Sequence, residues 1–227
     1  MDNLFKLKNH AIKKSSKYMI KYNLILEDDC ITNIIQTVVN KGYKIIFGDF
    51  LYDDGYLLNG HSSNKNIIYL SSVWYSHLLL YRHNIDTITA FKITIGHEIA
   101  HRKFDDSFKK TIKLPLIKSI KYLSLLSNIK EVHHDFYGCQ LFCDSSKQNL
   151  ITSSKYKEKY NRKQTNKEDK SDISHPSWEQ RIKYAKYGSF DRGLLNMIAE
   201  DTKVSITPEI EELFDRIMAF YGEIHLQ

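Results

Sequence analysis

The chain has 227 residues, 42% of them hydrophobic and 26% charged, a balance that fits a folded protein and excludes a disordered or low-complexity one. Nine glycines and three prolines argue against a turn-dense all-β architecture and for helices. The net charge is +6, but the lysines that supply most of it are spread along the whole chain, so the expectation is a solvated basic surface and no nucleic-acid partner.

Residues 1–22 read as an amphipathic helix, with Leu4, Leu7 and Ala11 inward and six lysines outward, and with no apolar run of a secretory leader. Asp28 or Asp29 caps a second helix to about Asn40, carrying Ile31, Ile34, Ile35, Val38 and Val39 at helical spacing. The period then changes. Residues 43–47 read as a strand, Asp53-Asp54-Gly55 as a turn, and 56–58 and 67–70 as two more strands around a polar loop at 59–66. A short helix at 72–82 follows.

Asp86 is the expected cap of the next helix, which runs to about Phe104 and is apolar on most of its circumference (Ile88, Phe91, Ile93, Ile95, Ile99), hence buried. Residues 107–127 form a helix kinked or split at Pro115, and 129–143 another. No stretch of about 18 apolar residues is free of charge, so no membrane span is expected. Cys139 and Cys143 fall on an apolar stripe with Val132 and Phe136 and read as core thiols. With Cys30 they form no CxxC pair, which fits a reducing cytoplasm.

Residues 144–173 are rich in charge and poor in aliphatics and read as a mobile loop. Order resumes at Ser174-His175-Pro176, which opens a helix ending at Gly188. Two last helices follow at 191–201 and 208–221, the second with Pro208 at its first position. The expected architecture is one α+β, mainly helical domain over 1–227. It comprises N-terminal helices (1–42), a core (43–143) with a small three-stranded sheet beside the buried helix, the mobile loop, and C-terminal helices (174–227).

The chemistry concentrates in His97-Glu98-Ile99-Ala100-His101. Positions i and i+4 share one face of a helix, so both imidazoles can reach one zinc ion while Glu98 stands beside it as general base. The alternative is a solvated helix face with two incidental histidines, but unpaired polar groups in a buried helix are costly. A third histidine six residues on is excluded, because Ser107 stands there and Phe104 replaces the required glycine. Glu131, in Glu131-Val132-His133-His134-Asp135, is the candidate third ligand, with His133 or His134 as alternatives. Asp135, one turn on, can accept from the outer N–H of a ligating histidine. His175 and Arg181, in the third cluster, can face a cleft and stabilise an oxyanion.

These three segments, HExxH, then Glu131-xxx-Asp135, then His175-Pro176-xxxx-Arg181-Ile182, resemble gluzincin metallopeptidases of the HtpX and CAAX-prenyl-protease type. The resemblance covers about 59–182, and Asn59-Gly60 stands where family members often carry Asn-Ala. It implies a zincin-like fold without the membrane helices of the founding members, and one zinc per chain on His97, His101 and Glu131. It also implies Glu98 as base, Asp135 behind a ligand, and His175 and Arg181 bordering the site. The expected activity is zinc-dependent hydrolysis of peptide bonds in a peptide or protein substrate, which adds as a strand along Ile67, Ile68, Tyr69 and Leu70. The segment 144–173 would close over the cleft, and His175 could fill the open zinc position at rest. A phage-exclusion (Lit-type) protease with one intracellular target and an inactive zincin-like binding or regulatory module are the alternatives.

Overall fold

One long helix lies between two apolar cores and carries the HExxH segment. This computed structural model describes residues 19–22, 29–50, 57–63, 66–112, 120–165 and 174–227. The long helix is α3 (Ile85–Thr111). Its cap is Asn84, not Asp86: the Asn84 side chain accepts from the backbone N–H groups of Asp86 and Thr87 at 2.9 and 3.1 Å. Asp86 sits in the first turn instead, where an acid also suits the helix dipole. The helix runs past Phe104 to Thr111 because no glycine or proline interrupts it there. Phe91, Ile95 and Ile99 face a core shared with a sheet. Ile93 and Phe108 face a second core built by later helices.

The sheet contains β1 (Met19–Tyr22), β2 (Lys44–Phe50), β3 (Gly60–Ser63) and β4 (Ile67–Ser71), in the order β1-β2-β4-β3. β2 and β4 are parallel, and β3 pairs antiparallel with β4. β1 joins the outer edge of β2, antiparallel. Three sequence expectations need correction here. Met19–Tyr22 is strand and not the end of a helix, while 1–18 and the turn at 53–55 lie outside the described residues. Leu57 and Leu58 are not strand. The strand comes later, at Gly60–Ser63, inside the expected polar loop, because pairing with the apolar β4 imposes an extended form that Gly-His-Ser-Ser does not prefer alone. β2 and β4 rest on α1 (Asp29–Asn40) and α2 (Ser72–Tyr81), which bury Ile31, Ile34, Val38, Trp74, Tyr75 and Leu78.

The helices expected at 107–127 and 129–143 resolve differently. Residues 107–111 finish α3, Pro115 lies outside the described residues, and α4 (Ile120–Phe142) is one continuous helix. α3 and α4 touch at two glycines. A Cβ on Gly96 would stand 2.5 Å from the Gly138 Cα, and one on Gly138 would stand 2.8 Å from the His97 backbone nitrogen. This close approach sets the distance between the side chains of the two helices.

Most of the expected mobile loop is helix. α5 (Lys147–Thr165) packs against α3 and buries Leu150, Ile151, Ser153, Ser154, Lys157 and Asn161. Its Tyr156 hydroxyl accepts from Thr87 at 2.8 Å, and Asn161 Oδ1 accepts from the Leu58 N–H at 3.3 Å. Residues 166–173 lie outside the described residues.

The C-terminal part follows its caps. Ser177 and Gln180 form a capping box on α6 (Trp178–Tyr187), which stops at Gly188 with φ +85°. Asp191 caps α7 (Arg192–Asp201), and α8 (Pro208–Tyr221) starts on its proline. Two short strands, β5 (Ser189–Phe190) and β6 (Ile224–His225), pair antiparallel beside them. The α+β, mainly helical class holds. Among the described residues, no helix is long and apolar enough to cross a membrane.

Candidate metal centre

His97 and His101 project from one face of α3 toward Glu131 on α4. The two Nε2 atoms are 3.0 Å apart. His97 Nε2 is 3.3 Å from Glu131 Oε2, and His101 Nε2 is 3.4 Å from Glu131 Oε1. Donors held about 2.0–2.1 Å from a tetrahedral ion stand about 3.3–3.4 Å apart, so these three groups fit one ion. His97, His101, Glu131 and His134, all buried except the half-buried His101, could hold a metal ion. Their chemistry, imidazole nitrogen with a carboxylate, suits zinc.

Both histidines of the motif have their outer nitrogen fixed. His97 Nδ1 lies 2.9 Å from Asp135 Oδ1, and His101 Nδ1 lies 3.1 Å from Asp105 Oδ2. Each bond turns Nε2 toward the shared position, the arrangement that ligating histidines keep. Asp105 was not anticipated, although it lies one turn beyond His101, the same spacing that links Glu131 to Asp135. Lys130 approaches the same Asp105 oxygen at 3.3 Å.

Arg181 does not face the cleft. It is buried, and its guanidinium reaches Asp135 Oδ2 at 2.5 Å and Glu131 Oε2 at 3.3 Å. The expected oxyanion role is therefore replaced by that of a clamp holding two buried carboxylates. Behind them sits Lys157 of α5, also buried, with its ammonium 5.1 Å over the Trp178 ring. Lys157 lies in the segment expected as a mobile loop, and nothing in its local pattern signals the packing of α5.

The charges agree with a cation site. Burial disfavours ionised Glu131, but His97, His101 and Arg181 outweigh it and hold the carboxyl well below its usual range. Burial likewise opposes ionised Asp135, and Arg181 and His97 overcome it. On His97 burial opposes the charged ring, but Asp135 and Glu131 raise it to about 9. Two ionised acids thus favour positive charge where the imidazoles meet. His133 behaves differently. Burial, then Lys103 and His97, lower it to about 3, and its ring stacks on Tyr221 at 3.6 Å, away from the ligand group.

The group opens into a cleft of about 400 Å³ lined by β3 (Gly60, His61, Ser62), by His97, Glu98 and His101, and by Ser174 and His175. A Cβ on Gly60 would stand 2.8 Å from Glu98 Cγ and Oε1, so β3 crosses directly over the Glu98 side chain. Among the described residues β3 is the outer strand on this side. Ile67, Ile68, Tyr69 and Leu70 belong to β4, which is paired on both sides and offers no free edge. His175 is exposed at the cleft mouth, with Nε2 3.7 Å from Glu131 Oε2 and Nδ1 2.7 Å from Ser174 Oγ. Ser127 of α4 fixes this segment by donating to the Ser174 carbonyl at 3.0 Å. No protein-family model, curated protein or solved structure matches the chain.

Proposed function

We propose that this chain is a zinc-dependent endopeptidase of the gluzincin kind, acting on a peptide or protein substrate. The carrying observation is the convergence of His97 and His101, whose Nε2 atoms are 3.0 Å apart, on the two carboxylate oxygens of Glu131, at 3.3 and 3.4 Å, at the wall of a cleft that also holds Glu98. Zinc bound there supplies Lewis acidity, polarising a carbonyl oxygen and easing removal of a water proton.

The chain's own groups do the rest. The Glu98 carboxylate takes the proton of the attacking water and returns it to the leaving amine nitrogen as the C–N bond breaks. Gly60 lets β3 pass close over that carboxylate. The outer edge of β3 receives the substrate as an added strand and supplies main-chain hydrogen bonds. This moves the substrate edge from β4 to β3. His175 at the cleft mouth is the group placed to hold the oxyanion. The buried free thiols Cys139 and Cys143 support a reducing, cytoplasmic setting.

The test is Glu98→Gln. The variant binds zinc like the wild type and loses hydrolysis of a peptide library by about 10²–10⁴-fold, the range for a general base. Full activity with zinc bound would falsify the assignment. A zinc-loaded wild type that cleaves nothing would favour the non-catalytic binding module.

A further inference from the structure

His134 has two hydrogen-bonding atoms that the described residues do not satisfy. Its side chain is fully buried on α4, and among those residues neither Nδ1 nor Nε2 has a partner. The facing acid is Asp105, whose Oδ1 is also buried and, among the described residues, without a partner. That oxygen stands 3.6 Å from Nε2, beyond a hydrogen bond. Buried polar side chains are nearly always paired, so an imidazole left this way calls for an explanation. A neutral imidazole has a lone pair on one ring nitrogen and an N–H on the other.

Its place suggests where that lone pair goes. The ring lies 4.3 Å from that of His101 and 5.6 Å from that of His97, edge-on to both. A ligand atom of His134 lies within 4.8 Å of those of His97, His101 and Glu131. The residues lining the cleft do not include His134, so it approaches from the protein side, with Phe104 stacked at 6.3 Å.

We propose that His134 is a fourth protein ligand that closes the metal centre at rest, so that the enzyme is latent until substrate enters. The inference rests on the peptidase reading for the identity of the cation. The ring binds through one nitrogen and donates the other N–H to Asp105, which already holds His101. One carboxylate then orients two ligands. Three imidazoles and Glu131 complete a four-coordinate shell, the arrangement of closed sites, whereas catalysis needs an open position. Substrate must therefore displace His134 or enter as a fifth donor.

Zinc-edge X-ray absorption on the zinc-loaded full chain counts the imidazoles directly. Three per zinc are expected in the wild type, and two in both His134→Phe and His134→Ala. The phenylalanine variant preserves the ring volume of this packed site. Chelator competition should show zinc binding weakened at least about ten-fold in both. Two imidazoles in the wild type overturn the proposal and leave the three-ligand peptidase reading standing. Three imidazoles that persist in His134→Phe also overturn it, by assigning the third to another residue such as His175. A wild type that holds no zinc removes both readings.

Discussion

Asp105 and Asp135 each fix the outer nitrogen of one motif histidine, at 3.1 and 2.9 Å, so removing either charge should loosen the site. Asp135→Asn and Asp105→Asn are each expected to lower zinc affinity about 10–100-fold. Asp106→Asn should leave it unchanged, since Asp106 is exposed and pairs with Arg102. Competition titration with a chromophoric chelator checks this, and equal affinities in all three variants would remove the supporting role. His97, His101, Glu131 and Asp135 could be nominated from the sequence because i, i+4 spacing on a helix fixes which side chains share a face. The same spacing relates Asp105 to His101, outside the motif itself. Arg181 could be nominated as a residue and not as a role, because its direction depends on how α6 packs against α4. Lys157 could not be nominated, since only α5 and Trp178 bury it.

Among the elements, the α3–α4 contact decides whether the ligands meet. Gly138→Ala puts a methyl 2.8 Å from the His97 backbone nitrogen and 2.9 Å from the Ile93 carbonyl oxygen. These are backbone atoms, so the helices must separate. The alanine gains up to about 1 kcal/mol of helix propensity, while overpacking costs about 1–3 kcal/mol, so the clash wins. Thermal unfolding should show a lower Tm together with weaker zinc binding, whereas Leu123→Ala, on the exposed side of α4, should change neither. An unchanged Tm and zinc affinity in Gly138→Ala would show that the contact does not position the site. Helices with strong ends were legible. α7 and α8 start at Asp191 and Pro208 as expected, and α6 ends at the expected Gly188, though its cap is Ser177 and not the Ser174-His175-Pro176 segment. α5 was not legible, because its buried stripe is Ser153, Ser154, Lys157 and Asn161 beside only two aliphatics. β3 was missed for the same kind of reason. Tertiary pairing, and not propensity, makes Gly60–Ser63 a strand.

At the level of the whole molecule, two cores meet along α3, and the metal group lies where α3 and α4 join them. A cation bound there ties the sheet-bearing core to the helical one, and any ligand of the folded state alone stabilises it by mass action. Glu131 is central to that link. It faces both histidines, and Arg181 stands 3.3 Å behind it. Removing its carboxylate takes away a donor and leaves a buried guanidinium facing the cation. The most direct measurement is the metal content of chelator-free wild type and Glu131→Ala by mass spectrometry. The account predicts about one zinc per chain in the wild type and its loss or strong weakening in the variant. A wild type without zinc, or a Glu131→Ala variant that retains it undiminished, would contradict the account.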